Sequence, residues 1–306
     1  FRNVTGVQTC ALPICFCQRL QLFMEIEMFK TILVPIDSSD TSLVAVDYAI
    51  DLSRSFNSEI EGISIIDIKK LAGPFMRDLG TSIGGMVPYG DFQQNIRKFM
   101  DDTARAALDE LEGKCKSAGI PFTRTVKEGV VDKEIVESAK RCDMISMGMA
   151  GEHGFWRDAF LGSNLESVVR RTQKPVMVTP EEYKKVTKIL VAYDASTFST
   201  KALISGADIA QQMKLPLTVV TVSDDKKSGE DILSQADNNL KDYKITYDKV
   251  LKDGEVVDVI LDFCKEGTYD LLVMGAYGHS KIRELILGNT TVQIMRKVDC
   301  AVLLCR

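Results

Sequence analysis

Two glycine-spaced stretches carry the residue types and spacing in this 306-residue chain that could do chemistry. Gly275-x2-Gly278-x9-Gly288-Asn289-Thr290 follows the apolar run Leu271-Leu272-Val273-Met274 and leads into a helical pattern ending at Lys297. Gly148-x2-Gly151-x10-Gly162-Ser163-Asn164 follows Met144-Ile145-Ser146-Met147 in the same way. Glycine lacks a Cβ, so backbone there can approach a ligand closely or turn through positive φ. A helix start offers free N–H groups and a partial positive charge to an anion. A strand, a glycine loop and a helix start in that order suit the phosphates of a nucleotide. The chain contains no GxxxxGK[ST] loop, no GxSxG elbow, no HExxH pair, and neither an SGGxDS nor a HIGH pattern. These absences favour a binder over an efficient enzyme. A slow ATP hydrolase, and a scaffold that no longer holds nucleotide, are the competing readings.

The elements that must position these loops come in two copies. Lys30-Thr31-Ile32-Leu33-Val34-Pro35-Ile36-Asp37 returns as Lys188-Ile189-Leu190-Val191-Ala192-Tyr193-Asp194, and Pro175-Val176-Met177-Val178 returns as Ala301-Val302-Leu303-Leu304. Internal repetition of this kind sets the architecture before any other signal. In the first copy, near-continuous apolar runs predict strands near 31–36, 60–66, 122–127, 143–148 and 176–179. Periodic stretches predict helices near 41–56, 94–118, 131–141 and 164–173. Met100, Ala104, Leu108, Leu111 and Cys115 form one apolar stripe on the second of these helices. The second copy predicts strands near 187–193, 217–222, 245–251, 270–274 and 300–305, with helices near 198–213, 229–242, 255–266 and 290–297. Strict alternation of strand and helix implies parallel, doubly wound sheets with helices on both faces. The expected units are 28–180 and 187–306, joined by the charged linker Pro180-Glu181-Glu182-Tyr183-Lys184-Lys185. The first copy is longer, mainly through the glycine-rich stretch 69–93. That stretch is expected to be a surface insertion, with a lid or docking role as the alternative. Ser163-x-x-Glu166 reads as a capping box, which would give Ser163 a structural task without any ligand.

Composition narrows the partners. A net charge of −5 disfavours nucleic acid and anionic membrane surfaces, and no run approaches the roughly 20 apolar residues of a membrane span. Eight cysteines without paired CxxC units, and two histidines, His153 and His279, make no metal site. Scattered thiols of this kind fit a reducing, cytoplasmic setting. Residues 1–27 stand apart: Val4 to Ile14 resembles a translated library adapter, and Met28 is the expected natural start.

The paired motifs resemble those of the universal stress protein family, as a tandem of two domains. The similarity runs from Met28 to Arg306. The second motif fits that family's ATP-binding signature of G-x2-G-x9-G followed by a small polar residue, and the ILVAYD opening adds specificity. The resemblance implies two tandem five-stranded parallel sheets of order 3-2-1-4-5, with ATP above the carboxyl ends of strands 1 and 4 and Mg2+ admitted beside it. This is the crevice where the winding of an open α/β sheet reverses. The resemblance assigns Asp194 to adenine or ribose groups and the backbone of Val222 to adenine. Met274 and Gly275 would flank ribose and phosphates, and Gly278 would let the loop close in. Gly288, Asn289 and Thr290 would meet the phosphates. In the first copy the corresponding set is Asp37, Gly148, Gly151, Gly162, Ser163 and Asn164, with one extra residue between the last two glycines of the motif. His279, Lys281 and Arg283, like His153 and Arg157, are expected on a solvated loop face, and Phe155 and Trp156 in packing. The resemblance further implies that the two domains pair through their final strands about an internal pseudo-twofold axis, with pairing of whole chains left open.

Overall fold

The computed structural model describes residues 28–37, 39–69, 89–149, 162–266, 269–277 and 288–306. The adapter-like segment, Gly151, Gly278, both histidines, Phe155, Trp156, Arg157, Lys281 and Arg283 lie outside the described residues, as does 70–88 of the glycine-rich stretch. The first half runs β1 (Thr31–Pro35), α1 (Asp40–Phe56), β2 (Glu59–Asp67), α2 (Tyr89–Ala118), β3 (Phe122–Gly129), α3 (Val131–Ala139), β4 (Met144–Gly148), α4 (Ser163–Arg171) and β5 (Val176–Thr179). The second half repeats it: β6 (Ile189–Ala192), α5 (Thr197–Met213), β7 (Leu217–Val222), α6 (Lys226–Leu240), β8 (Tyr247–Lys252), α7 (Val256–Glu266), β9 (Leu271–Gly275), α8 (Asn289–Lys297) and β10 (Ala301–Cys305).

Each half has the expected strand order and parallel pairing, but the two sheets are not separate. They form one ten-stranded sheet, β3-β2-β1-β4-β5-β10-β9-β6-β7-β8. Among the described residues its only antiparallel step is the central seam, where Val178, Met177 and Val176 pair with Val302, Leu303 and Leu304. Two apolar edges would otherwise be open to pairing with other chains. The seam buries both, and every residue of β5 and β10 is buried. The outermost strands, β3 and β8, mix charged and polar residues with a few apolar ones and are largely half-buried or exposed. Because the halves meet antiparallel, the carboxyl ends of β1 and β4 point opposite to those of β6 and β9.

Alternation along each strand divides the interior into two layers. Ile32 and Val34 join helices α1 and α2, and through Met177, Leu303, Ile189 and Val191 the same layer continues to α5 and α6. Leu33 and Ile145 face the other layer, which contains residues of α3, α4, α7 and α8. Both layers therefore cross the seam. The apolar stripe on α2 is placed as expected, with Ala104, Leu108, Leu111 and Cys115 buried. That helix starts at Tyr89, five residues before the periodicity becomes apolar, so 89–93 belongs to a helix rather than to the insertion. α6 starts at Lys226 because the Asp225 side chain accepts a hydrogen bond from the Lys227 N–H.

The linker is held on α1. Tyr183 donates its hydroxyl to Asp51 and packs edge-on to Tyr48, with ring centroids 5.1 Å apart. The main-chain N–H of Lys184 donates to the Tyr48 hydroxyl at 3.3 Å. Burial pushes the Tyr48 phenol up to about 12. Across the halves, Gln212 of α5 donates to the Ser55 carbonyl of α1 at 2.6 Å.

Asp208 on α5 is 4% exposed. Burial raises its carboxyl from 3.8 to about 6, against a smaller lowering by the Tyr243 hydroxyl. A raised folded-state value means that the native state binds the proton more tightly than the unfolded chain. Stability therefore rises as pH falls through about 6 towards 4, and the penalty is fully present above that window. A tenfold change in proton affinity is about 1.4 kcal/mol. Asp208→Asn is accordingly expected to stabilise the fold at pH 8 by on the order of 2 kcal/mol and to lose that advantage near pH 4. Urea denaturation at the two pH values checks this.

Candidate functional site

In the second half, Asp194, Gly275 and the first turn of α8 are joined through a chain of contacts. The Asp194 carboxylate accepts the Ser196 N–H at 3.0 Å, closing a short turn after β6. Ala195, inside that turn, is held at a φ of 61°, a conformation that non-glycine residues seldom adopt. Ser196 caps α5, accepting the Ser199 N–H at 3.2 Å, and the Asp194 N–H donates to the Ser199 hydroxyl at 3.3 Å. Gly275, at the end of β9, lies directly against this helix start. A Cβ on Gly275 would stand 2.9 Å from the Phe198 carbonyl carbon and from the Ser199 nitrogen. The next residue, Ala276, donates to the Cys305 carbonyl at 2.8 Å and accepts the Thr291 hydroxyl at 3.1 Å. Thr291 belongs to the first turn of α8, so the Asp194 turn, the end of β9 and the start of α8 are fixed to one another.

α8 opens on Gly288, with φ −56° and ψ 136° and no side-chain cap. Asn289 and Thr290, its first two residues, are exposed. They lie inside the helix rather than at a cap, so their N–H groups belong to the first turn, which lacks intrahelical acceptors. Val222 ends β7. The Tyr193 N–H binds the Val220 carbonyl at 2.9 Å, while the Ser223 N–H binds β8 through the Lys252 carbonyl at 2.8 Å. Val222 therefore turns its N–H and C=O towards the β6 side, beyond the point where β6 stops. Met274 is different: its side chain is 6% exposed within the core layer, leaving its main chain as the part nearest the crevice.

The first half repeats most of this. Asp37 accepts the Ser39 N–H at 3.2 Å, Ser39 caps α1, and a Cβ on Gly148 would stand 2.8 Å from the Thr41 carbonyl oxygen. α4 opens on Gly162, again without a side-chain cap. The expected capping box does not form. The cap is Gly162, and Ser163 is already the first helical residue, with Asn164 beside it on the exposed surface. By contrast α1, α5 and α6 are capped by the Ser39, Ser196 and Asp225 side chains.

Several contributors were not singled out from the sequence. The Ile36 N–H binds the Ile63 carbonyl at 2.9 Å, so Ile65 stands in the first half where Val222 stands in the second. Aligning Asp37 with Asp194 would have identified it. Arg306 follows β10, whose Cys305 is level with Gly275. Its guanidinium lies 5.3 Å from the centre of the Tyr277 ring and donates to the Arg170 and Thr172 carbonyls at the end of α4. Only the register of β10 against β9 reveals this. Among the described residues, no group of three or more His, Cys, Asp or Glu side chains could hold a metal, and no helix is long and apolar enough to cross a membrane.

The fold defines a tandem, doubly wound α/β protein whose winding reverses between the first and fourth strands of each half. The model of the universal stress protein family matches residues 28–180 and 230–306, and the chain belongs to that family. Universal stress protein Slr1230 of Synechocystis is 30% identical over 285 residues, covering 90% of this chain and 99% of that protein. Universal stress protein MJ0531 of Methanocaldococcus jannaschii is 29% identical over 160 residues, 52% of this chain and 86% of its own. Among solved structures, a universal stress protein from Archaeoglobus fulgidus superposes with a TM-score of 0.72 at 23% identity, covering 90% of this chain and 98% of its own, a likeness of fold.

The tight approach at Gly275 yields a stability prediction. Gly275→Ala must displace backbone of α5, and overpacking of this kind costs about 1–3 kcal/mol. A lower urea midpoint with an unchanged slope is the expected result.

Proposed function

We propose that this protein binds ATP at least in its second half, in the crevice between the Asp194 turn, the end of β9 and the start of α8, and that it serves as a nucleotide-responsive regulatory protein. The observation that carries this reading is the glycine-opened, uncapped start of α8, fixed through Thr291 and Ala276 beside a carboxylate turn. The first turn of α8 supplies main-chain donors and a positive helix end for phosphates. Asp194 supplies an acceptor for ribose or base hydroxyl and amino groups, and Val222 offers a main-chain donor and acceptor to a base. Magnesium would arrive with the triphosphate and keep much of its water. The first-half set, Asp37, Ile65, Gly148, Gly162, Ser163 and Asn164, supports a second site at the opposite end of the sheet. Occupancy of either crevice would bias the conformation or a partner surface of the protein.

One observation favours the alternative of a scaffold without ligand: Gly148 and Gly275 must be glycine for helix packing alone. Isothermal titration calorimetry with ATP and Mg2+ separates the two. The reading expects saturable binding by the wild type, with affinity reduced about 10–100-fold in Asp194→Ala, the scale of a lost hydrogen bond to a charged group. Absence of binding at saturating ATP leaves the scaffold.

A further inference from the structure

We infer that Thr291 is a positioning residue for the nucleotide in the second half, acting through the Ala276 carbonyl rather than by touching the ligand; this rests on the ATP reading above. Thr291 is 3% exposed. Its hydroxyl reaches back fifteen residues to Ala276, at 3.1 Å. Ala276 is held on its other side, its N–H donating to Cys305 in β10. The hydroxyl therefore ties the first turn of α8 to the sheet at the point where the glycine loop leaves it. The N-cap stands at the same place: a Cβ on Gly288 would lie 3.4 Å from the Thr291 hydroxyl oxygen and 3.6 Å from the Ala276 carbonyl. Three groups thus meet where main-chain donors must be aimed at phosphate oxygens. Small displacements of such donors weaken binding because they are useful only if pre-positioned.

Among the described residues, the first half lacks this tether. The third residue after the Gly162 cap is Leu165, buried in the same core layer as Met149, and it has no hydroxyl to offer. The strand end itself is held alike in both halves, since the Met149 N–H donates to the Thr179 carbonyl at 3.0 Å. The difference between the two crevices is therefore in the helix-to-loop tie. It leaves the first turn of α8 tied to the strand end by a hydroxyl that α4 does not have.

The test compares wild type, Thr291→Val, Thr291→Ala and Thr291→Ser by calorimetric titration with MgATP, with melting of each ligand-free protein measured alongside. Valine keeps the shape and removes the hydroxyl; alanine serves should the valine variant misfold; serine restores the donor. Loss of one net hydrogen bond predicts ATP affinity about 5–10-fold weaker in the valine and alanine variants, with serine within about twofold of wild type. An unchanged affinity in valine and alanine, whatever their melting temperatures, overturns the inference and leaves Thr291 a purely structural residue. A serine variant as weak as valine overturns it as well. Failure of the wild type to bind ATP is seen in a separate arm, and it removes the nucleotide reading together with this inference.

Discussion

The antiparallel seam between Val176–Val178 and Val302–Leu304 is the interaction on which the rest of the molecule depends. Either half alone would present an apolar strand with unsatisfied N–H and C=O groups. Joining the two satisfies those groups and makes both side-chain layers continuous across the molecule, so Met177 and Leu303 share a core with helices from both halves. The seam also decides geometry. An antiparallel join directs the carboxyl ends of the two parallel sets to opposite ends of the sheet.

Within each half, the decisive constraint is the close approach of the fourth strand to the first helix. Gly148 lies against Thr41, and Gly275 against Phe198 and Ser199. This contact brings the carboxylate turn after the first strand level with the end of the fourth. The crevice thus follows from packing, and its chemistry from which side chains cap which helix. Serine or aspartate side chains cap α1, α5 and α6, whereas α4 and α8 open on glycine without a side-chain cap, as α3 opens on Val130.

The two halves are unequal in ways a repeat conceals. Asp51 and Asp208 occupy matching positions, and each accepts a tyrosine hydroxyl, but from different partners: Tyr183 of the linker in one case and Tyr243 after α6 in the other. Arg306 has no counterpart, since proline occupies that place after β5. Its guanidinium spans from the Tyr277 ring to the carbonyl end of α4, where a cation also complements the helix dipole. The end of α4 in one half is thereby braced against Tyr277 of the other.

Much of this was legible in the sequence because apolar periodicity and chain repetition are local signals. The strand runs, the α2 stripe and the strand order implied by the family likeness needed no coordinates, nor did the pairing of Asp37 with Asp194 or of Gly148 with Gly275. The sequence by itself determined that the chain holds two copies of one alternating β and α unit, and it offered the two glycine loops as the candidates for a phosphate site. The family likeness already implied pairing through the final strands; only the tertiary structure gave its antiparallel register, Val302 against Val178, because strand pairing between distant segments leaves no periodic trace. It alone moved the α4 cap from Ser163 to Gly162, since capping depends on where the chain enters the helix rather than on residue type. It alone assigned Thr291 and Arg306 their contacts, because a hydroxyl or guanidinium finds its partner across space, at a separation that composition and spacing do not encode.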